Sequence, residues 1–442
     1  MFSPISLKIA IVGSAFSLFF NQTAAQNSYA NNGSPYSKFG LGDLQTVASV
    51  SNRAMGNIGI AVQNPLYTNL VNPASFGSLS LTTFSTSFST KLTQISSGLQ
   101  QQVRADNNLA YATLSFPVAK FWGVGVGVMP YTDINYAITS YIDDGERSRL
   151  LSYKGSGGLN RYYIANGFEL LKKRLYLGVS ASYLVGNLDY YERLEFVANS
   201  LAVDPFVNIQ IVNQQRDNGF LINAGLQYKQ KIKQNNFLTI GLIGDVASSL
   251  KTNQTYSALR YRSLNIGDFI VDSLFSTKKI STVALPTHLG AGLTYELSSK
   301  LLLSVEASQQ NWATFKALDD NEDSLSNSFS INFGASITPD INANTIKMKN
   351  YWKVVSYRFG AQYQQTNLPA NLKTNISAPV NQFGITFGVS LPLRKSFSQI
   401  HFAAELGQRG NLKQNNIIEE KYGKLTVGFT LDDRWFIKRK YD

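Results

Sequence analysis

The sequence predicts an all-β fold, a transmembrane antiparallel β-barrel of fourteen strands behind an N-terminal hatch or plug. Three observations lead there. Apolar residues fill every second position in segment after segment from Leu79 to the C-terminus, the two-residue period of a strand with one greasy and one small or polar face. The connections between these segments alternate between short and long, as they do where tight periplasmic turns oppose large extracellular loops. After the leader, no stretch approaches the roughly 20 apolar residues of a spanning helix.

Residues 1–25 read as a signal peptide: one lysine, Lys8, then the apolar run Ile9–Phe20, then Thr23-Ala24-Ala25 before Gln26. The mature chain is therefore expected to start near Gln26. The chain has no Cys, which removes a lipoprotein anchor and any disulfide framework. Export joined to strand periodicity places the protein in the outer membrane of a Gram-negative bacterium.

Residues 26–78 lack the barrel pattern and form the expected hatch; residues 79–442 form the barrel. Alternation marks strands at 79–92, 107–116, 121–138, 159–170, 175–190, 218–230, 236–250, 283–296, 301–311, 327–338, 352–365, 381–391, 399–410 and 421–432. Pro117–Lys120, Leu171–Arg174, Lys231–Asn235, Leu297–Lys300 and Pro392–Ser398 are short connections, whereas 139–158, 191–217 and 251–282 read as long loops. Pro339–Tyr351 is long where a short turn is due, so a slip of one hairpin is possible there.

The hatch carries Ser34-Pro-Tyr-Ser-Lys-Phe-Gly-Leu-Gly-Asp43, then Arg53-Ala-Met-Gly56-Asn-Ile-Gly59-Ile-Ala61, then Asn64-Pro65, then Asn72-Pro73-Ala74 just ahead of the first strand. With the barrel behind it, this order resembles the FadL/TodX class of outer-membrane proteins, in the form common in Bacteroidetes. The resemblance implies a lumen closed by the hatch and passive uptake of small hydrophobic compounds, fatty-acid-like or aromatic. It also implies that Asn72, Pro73 and Ala74 lie in the hatch close to a kinked third strand that opens sideways into the bilayer. Read by itself, Asn before Pro favours extended or turn geometry, so a plain turn leading into the first strand is the alternative.

In the third strand, Trp122, Val124, Val126 and Val128 share one face while Gly123, Gly125 and Gly127 fall on the other. Met129-Pro130-Tyr131 then interrupts it. Proline has no N–H for a ladder and sits at edges or bulges, so Pro130 marks a gap in pairing. The gap is either a lateral exit with hatch space beside the glycines, or a break at the extracellular rim. The same alternation points Glu169, Asp245, Glu296, Glu306, Arg358 and Glu405 into the lumen, with His401 in phase, where charge is tolerated as it is not on the lipid face. Arg53 is a candidate to pair with one of these acids and hold the plug.

Charged residues make up 15% and the net charge is +12, but the basic residues are scattered, which suits a basic rim facing anionic lipid rather than nucleic acid. Only His288 and His401 offer a base near neutral pH, and neither lies in a nucleophile motif; no phosphate loop or metal-ligand spacing is present, so no enzyme and no cofactor are expected. Trp435 and Phe436 suit a periplasmic aromatic girdle. The loop 251–282 carries Phe269-Ile-Val271 and Leu274-Phe275, either a docking surface or a cover over the barrel mouth, and Asp272-Ser-Leu274 and Asp323-Ser-Leu325 resemble O-glycosylation signals of that phylum. The reading that follows is an outer-membrane channel for a hydrophobic small-molecule ligand. The alternative is a non-transporting partner barrel in an outer-membrane protein secretion or assembly complex. A continuous apolar tunnel from the loops to the Pro130 gap favours the first, and a lumen filled by charged side chains with an apolar loop surface favours the second.

Overall fold

The computed structural model describes residues 33–98, 100–143, 148–196, 207–246, 248–264, 267–315, 325–343, 348–368, 379–394, 396–414 and 418–433. The signal peptide, the start of the hatch, Trp435, Phe436 and the Asp323-Ser324 signal lie outside them. Among the described residues there are eighteen strand segments; one belongs to the plug, and the other seventeen merge into fourteen barrel strands because three of these are each broken in two.

The barrel strands are β1 (Thr82–Ser97), β2 (Gln100–Ala119), β3 (Trp122–Pro130 and Thr132–Asp143), β4 (Ser148–Leu170) and β5 (Leu175–Phe196). They continue with β6 (Asn208–Lys233), β7 (Asn236–Val246 and Ser248–Leu264), β8 (Gly267–Leu285 and His288–Leu297), β9 (Leu301–Gln310) and β10 (Ser328–Ile337). The last four are β11 (Ser356–Gln365), β12 (Asn381–Pro392), β13 (Gln399–Arg409) and β14 (Glu419–Asp433). Each pairs antiparallel with its neighbours, and β14 closes on β1 from Glu419↔Ser96 to Asp433↔Thr82. Closure satisfies the backbone groups that an open edge would leave bare in lipid. Phe84, Phe88, Ile164, Phe220, Phe333, Phe359, Phe387 and Phe429 are among the exposed apolar side chains of the outer face.

The spans read as long loops are mostly strand. β3 runs on to Asp143 and β4 starts at Ser148; β5 reaches Phe196 and β6 starts at Asn208; residues 251–264 and 267–282 lie in the paired outer halves of β7 and β8. At about 3.4 Å per residue these strands outrun an apolar band roughly 25 Å tall. Outside the membrane a strand needs no greasy face, so its hydrophobic alternation fades while its hydrogen-bond ladder continues. The long connection after β10 causes no slip: β10 keeps continuous register with both β9 and β11. It is partly filled by a short helix, α2 (Met348–Val354), so β11 starts at Ser356 and not at 352.

Residues 33–81 lie within the barrel and form the plug. The plug holds a 3-10 turn at Pro35–Lys38, a two-residue strand at Asp43–Leu44, the helix α1 (Val50–Arg53) and a 3-10 helix at Pro73–Ser78. Ser49 caps α1 by accepting from Asn52 N, and Asn72 caps the second turn by accepting from Ala74 N. Val50, Met55, Ile58, Ala61, Val62 and Ala74 are fully buried, so the plug is packed like a core.

Candidate functional site

The plug meets the wall on a belt of inward glycines. A Cβ on Gly178 of β5 would fall on the Pro73 carbonyl and the Ala74 amide nitrogen; on Gly123 and Gly125 of β3 it would fall on the Phe76 carbonyl and ring; on Gly241 of β7 on the Ile60 carbonyl; and on Gly360 of β11 on the Gly56 amide nitrogen. Absent side chains let two backbones touch. Gly127 departs from this pattern, since its nearest atoms are Ala112 O, the Tyr163 ring and Thr113. The sequence reading named β3 glycines alone, although inward glycines on the other strands are visible in the same alternation. Gly56 has φ +70°, a conformation that favours glycine, and its N–H donates to Thr386 Oγ1 at 2.8 Å. Gly59 packs against Val71 and Asn52 inside the plug.

Asn72 is buried and ties the plug to the wall. Its Nδ2 donates to Ile60 O at 2.7 Å and lies 3.3 Å from both Leu226 O and Leu242 O, while Oδ1 accepts from Ala74 N. The Asn72 side chain therefore stands at β6 and β7, whereas Pro73 shares a small void with Met129 of β3 and Phe76 of the same 3-10 helix packs against the β3 glycines.

The lumenal ionisable groups divide by partner. Glu306 on β9 accepts the amides of Gly59, Ile60 and Ala61 at 2.6 to 3.2 Å. Glu405 accepts from Gln362 and Tyr422, Glu296 pairs with Lys229 at 2.8 Å, and Asp245 accepts from Asn223 with His288 at 4.0 Å. Glu169 is half-buried near the end of β4. Arg358 donates to Ser390, which also bonds His401 Nδ1; His401 reaches Ser51 of the plug through the same nitrogen and Thr430 through Nε2. Arg53 corrects the expectation made for it: its guanidinium donates to the plug's own carbonyls, Ala48 at 2.9 Å and Thr46 at 2.8 Å, because the chain folds back around α1 and brings those oxygens nearer than any barrel acid.

Arg409 on β13, which the sequence reading missed, joins plug to wall. It donates to Asp43 at 2.8 Å and to Glu420 of β14 at 2.6 Å, and its Nη2 also donates to Ser34 Oγ at 2.7 Å. The Tyr36 ring lies beneath it, 4.9 Å away. Nothing in the local pattern marks Arg409 as a plug contact, since its partners there, Asp43 and Ser34, are more than 350 residues away.

β3 breaks at Tyr131. The β2–β3 ladder ends at Ala112↔Val128, while β4 stays paired with β3 on both sides of the break. Tyr131 N donates to Leu159 O of β4; by strand alternation the N–H that Pro130 lacks belongs on the β2 side. Proline thus sits where a ladder donor is not needed. In the break lies the plug strand, Leu44↔Thr132 and Asp43↔Asp133. Free space beside the kink, among Leu70, Pro73, Phe76 and Met129, is about 10 Å³, room for about one water molecule. A larger chamber of about 280 Å³ lies between the plug and the outer strand ends, lined by Lys91, Arg104, Asp106, Asp133, Glu405 and Arg409. On the outside, the paired ends of β7 and β8 expose Phe269, Ile270, Val271, Leu274, Phe275 and Ile280. Asp272 of the first glycosylation signal is bonded to Arg260 at 2.6 Å.

A family model described as BamG matches residues 7–442. No curated protein sequence matches the chain. Among solved structures, a Pseudomonas aeruginosa FadL homologue is similar with a TM-score of 0.59 at 10% identity, over 88% of this chain and 99% of that one. The P. putida toluene transporter TodX gives 0.57 at 14% identity, over 88% and 100%. The CymD monoaromatic hydrocarbon channel gives 0.54 at 14%, over 90% and 99%. At such identities the likeness is one of fold, a FadL-like outer-membrane barrel.

Proposed function

The chain belongs to the BamG family, and from that premise and the packed lumen we propose that it is a non-transporting partner barrel in an outer-membrane protein secretion or assembly complex. The observation that carries the proposal is the seating of the plug: glycines on many strands receive its backbone, and Asn72, Glu306 and Arg409 bind it to four sectors of the wall. Such a plug acts as a structural member. The roomy chamber is lined by charges of both signs, whereas a site for hydrocarbons is mostly apolar with few polar groups. Apolar area faces outward at the β7–β8 ends instead, where a protein surface gains by covering it.

Passive uptake of a small hydrophobic compound is the second reading, favoured by the break in β3 and by the fold shared with hydrocarbon channels. Native extraction of the full-length barrel followed by mass spectrometry of bound lipids and proteins separates the two. A stoichiometric protein partner and no bound hydrophobic ligand supports the partner role; a bound hydrophobic molecule without such a partner overturns it.

A further inference from the structure

The barrel wall holds two strand edges that face each other with no ladder between them. Above Ala112↔Val128, Gln100–Leu109 of β2 pairs only with β1, and Ala137–Ile142 of β3 pairs only with β4, among the described residues. A bare edge presents a row of N–H and C=O groups that templates pairing with another chain. These stretches lie in the outer, water-exposed ends of β2 and β3, where solvated backbone groups leave the edge open to a partner chain.

The chain supplies a partial one. Asp43–Leu44 adds to the β3 edge in antiparallel register, Gln45 N donates to Tyr131 O at 2.9 Å, and Ser37 Oγ accepts from Asn135 N at 3.1 Å. Two residue pairs cover a twelve-residue half-strand. The chamber behind the slit, with Lys91, Arg104, Asp106 and Asp133 on its walls, can solvate polar side chains and peptide groups and gives a hydrocarbon nothing. The plug strand is fastened across the lumen as well, through the grip of Arg409 on Asp43 and Ser34.

We infer that the β2/β3 slit is a strand-accepting site, where an extended segment of a partner polypeptide adds to the Thr132–Ile142 edge of β3 and displaces Asp43–Leu44. The inference rests on the partner-barrel reading and names where and by what chemistry the partner binds, main-chain hydrogen bonding of the β-augmentation kind. The plug strand is the internal competitor, and Arg409 sets how firmly it competes.

The chain has no Cys, so Leu44→Cys with Thr132→Cys introduces a single pair at directly opposed positions, about 4.5–5.5 Å apart at Cα and within disulfide reach. The probe is a fluorescein-labelled synthetic peptide of residues 40–46, titrated into the full-length barrel in detergent. Arg409→Gln should raise its affinity about tenfold by freeing the edge, and the oxidised double-Cys barrel should bind it about tenfold more weakly than the same barrel reduced. Equal binding by the oxidised and reduced forms overturns the inference, as does no binding to Arg409→Gln. Should Arg409→Gln fail to fold, the redox comparison decides, because both states are one polypeptide. Native pull-down separates this from the reading beneath it: a partner that co-purifies with the oxidised variant as well as with the unmodified barrel refutes the slit and leaves the partner role standing, whereas an unmodified barrel without partner removes both.

Discussion

Glu306 Oε1 on β9 lies 2.6 Å from the Ile60 amide of the plug, and the same carboxylate takes the amides of Gly59 and Ala61. Three successive N–H groups converging on one anion form a nest. All three reach Oε1, and Gly59 N also donates to Oε2; a carboxamide sets an N–H donor against that amide in place of Oε2 and removes the charge, so Glu306→Gln should weaken plug seating by about 1–3 kcal/mol. Limited proteolysis should cut faster between residues 56 and 62, while the barrel keeps its heat-modifiable migration.

Arg409 and Asp43 join β13 to the gap-closing strand. Asp43→Asn and Arg409→Gln should each release that strand, and the double variant should lose less than the sum, with a coupling of about 1–2 kcal/mol. Protection of residues 33–46 from protease, measured for all four proteins, checks the cycle; additive losses would refute the pairing.

Gly178→Val should prevent the 3-10 helix Pro73–Ser78 from docking, since even a Cβ falls on its backbone. The expected readout is ion conductance in planar bilayers where the unmodified barrel is closed. Gly244→Ala is the control, because its Cβ would meet the end of the flexible Leu289 side chain at 3.1 Å.

Asn72→Asp keeps the oxygen that caps Ala74 but loses the donor to Ile60, Leu226 and Leu242. If Asn72 were only a turn residue, Asp would serve equally well. The wall contacts instead make Asp as harmful as Ala, about 1–3 kcal/mol, read as equal loss of plug protection in the two variants.

The legible part of the molecule was whatever repeats along the chain. Fourteen strands, the inward glutamates and the break at Met129-Pro130-Tyr131 all follow from a two-residue period in which one side meets lipid. The outer strand ends escaped because, in water, Thr139–Ile142 and Phe269–Ile280 need no alternation to stay paired. Arg53 misled for a different reason: a buried guanidinium needs acceptors, and carbonyls of its own turn satisfy it as well as a distant carboxylate would.

By itself the sequence determined the barrel, its closure and the sidedness of its residues, because lipid on one face and satisfied backbone on both edges leave a chain of this pattern few alternatives. Tertiary structure alone decided what the plug does. Asn72 against β6 and β7, Glu306 beneath three amides, Arg409 across to Asp43, and Asp43–Leu44 in the β2/β3 slit are contacts between residues far apart in the chain, set by which strand lies opposite which when the ring closes. Local pattern holds no record of that distance, so the site appears only in three dimensions.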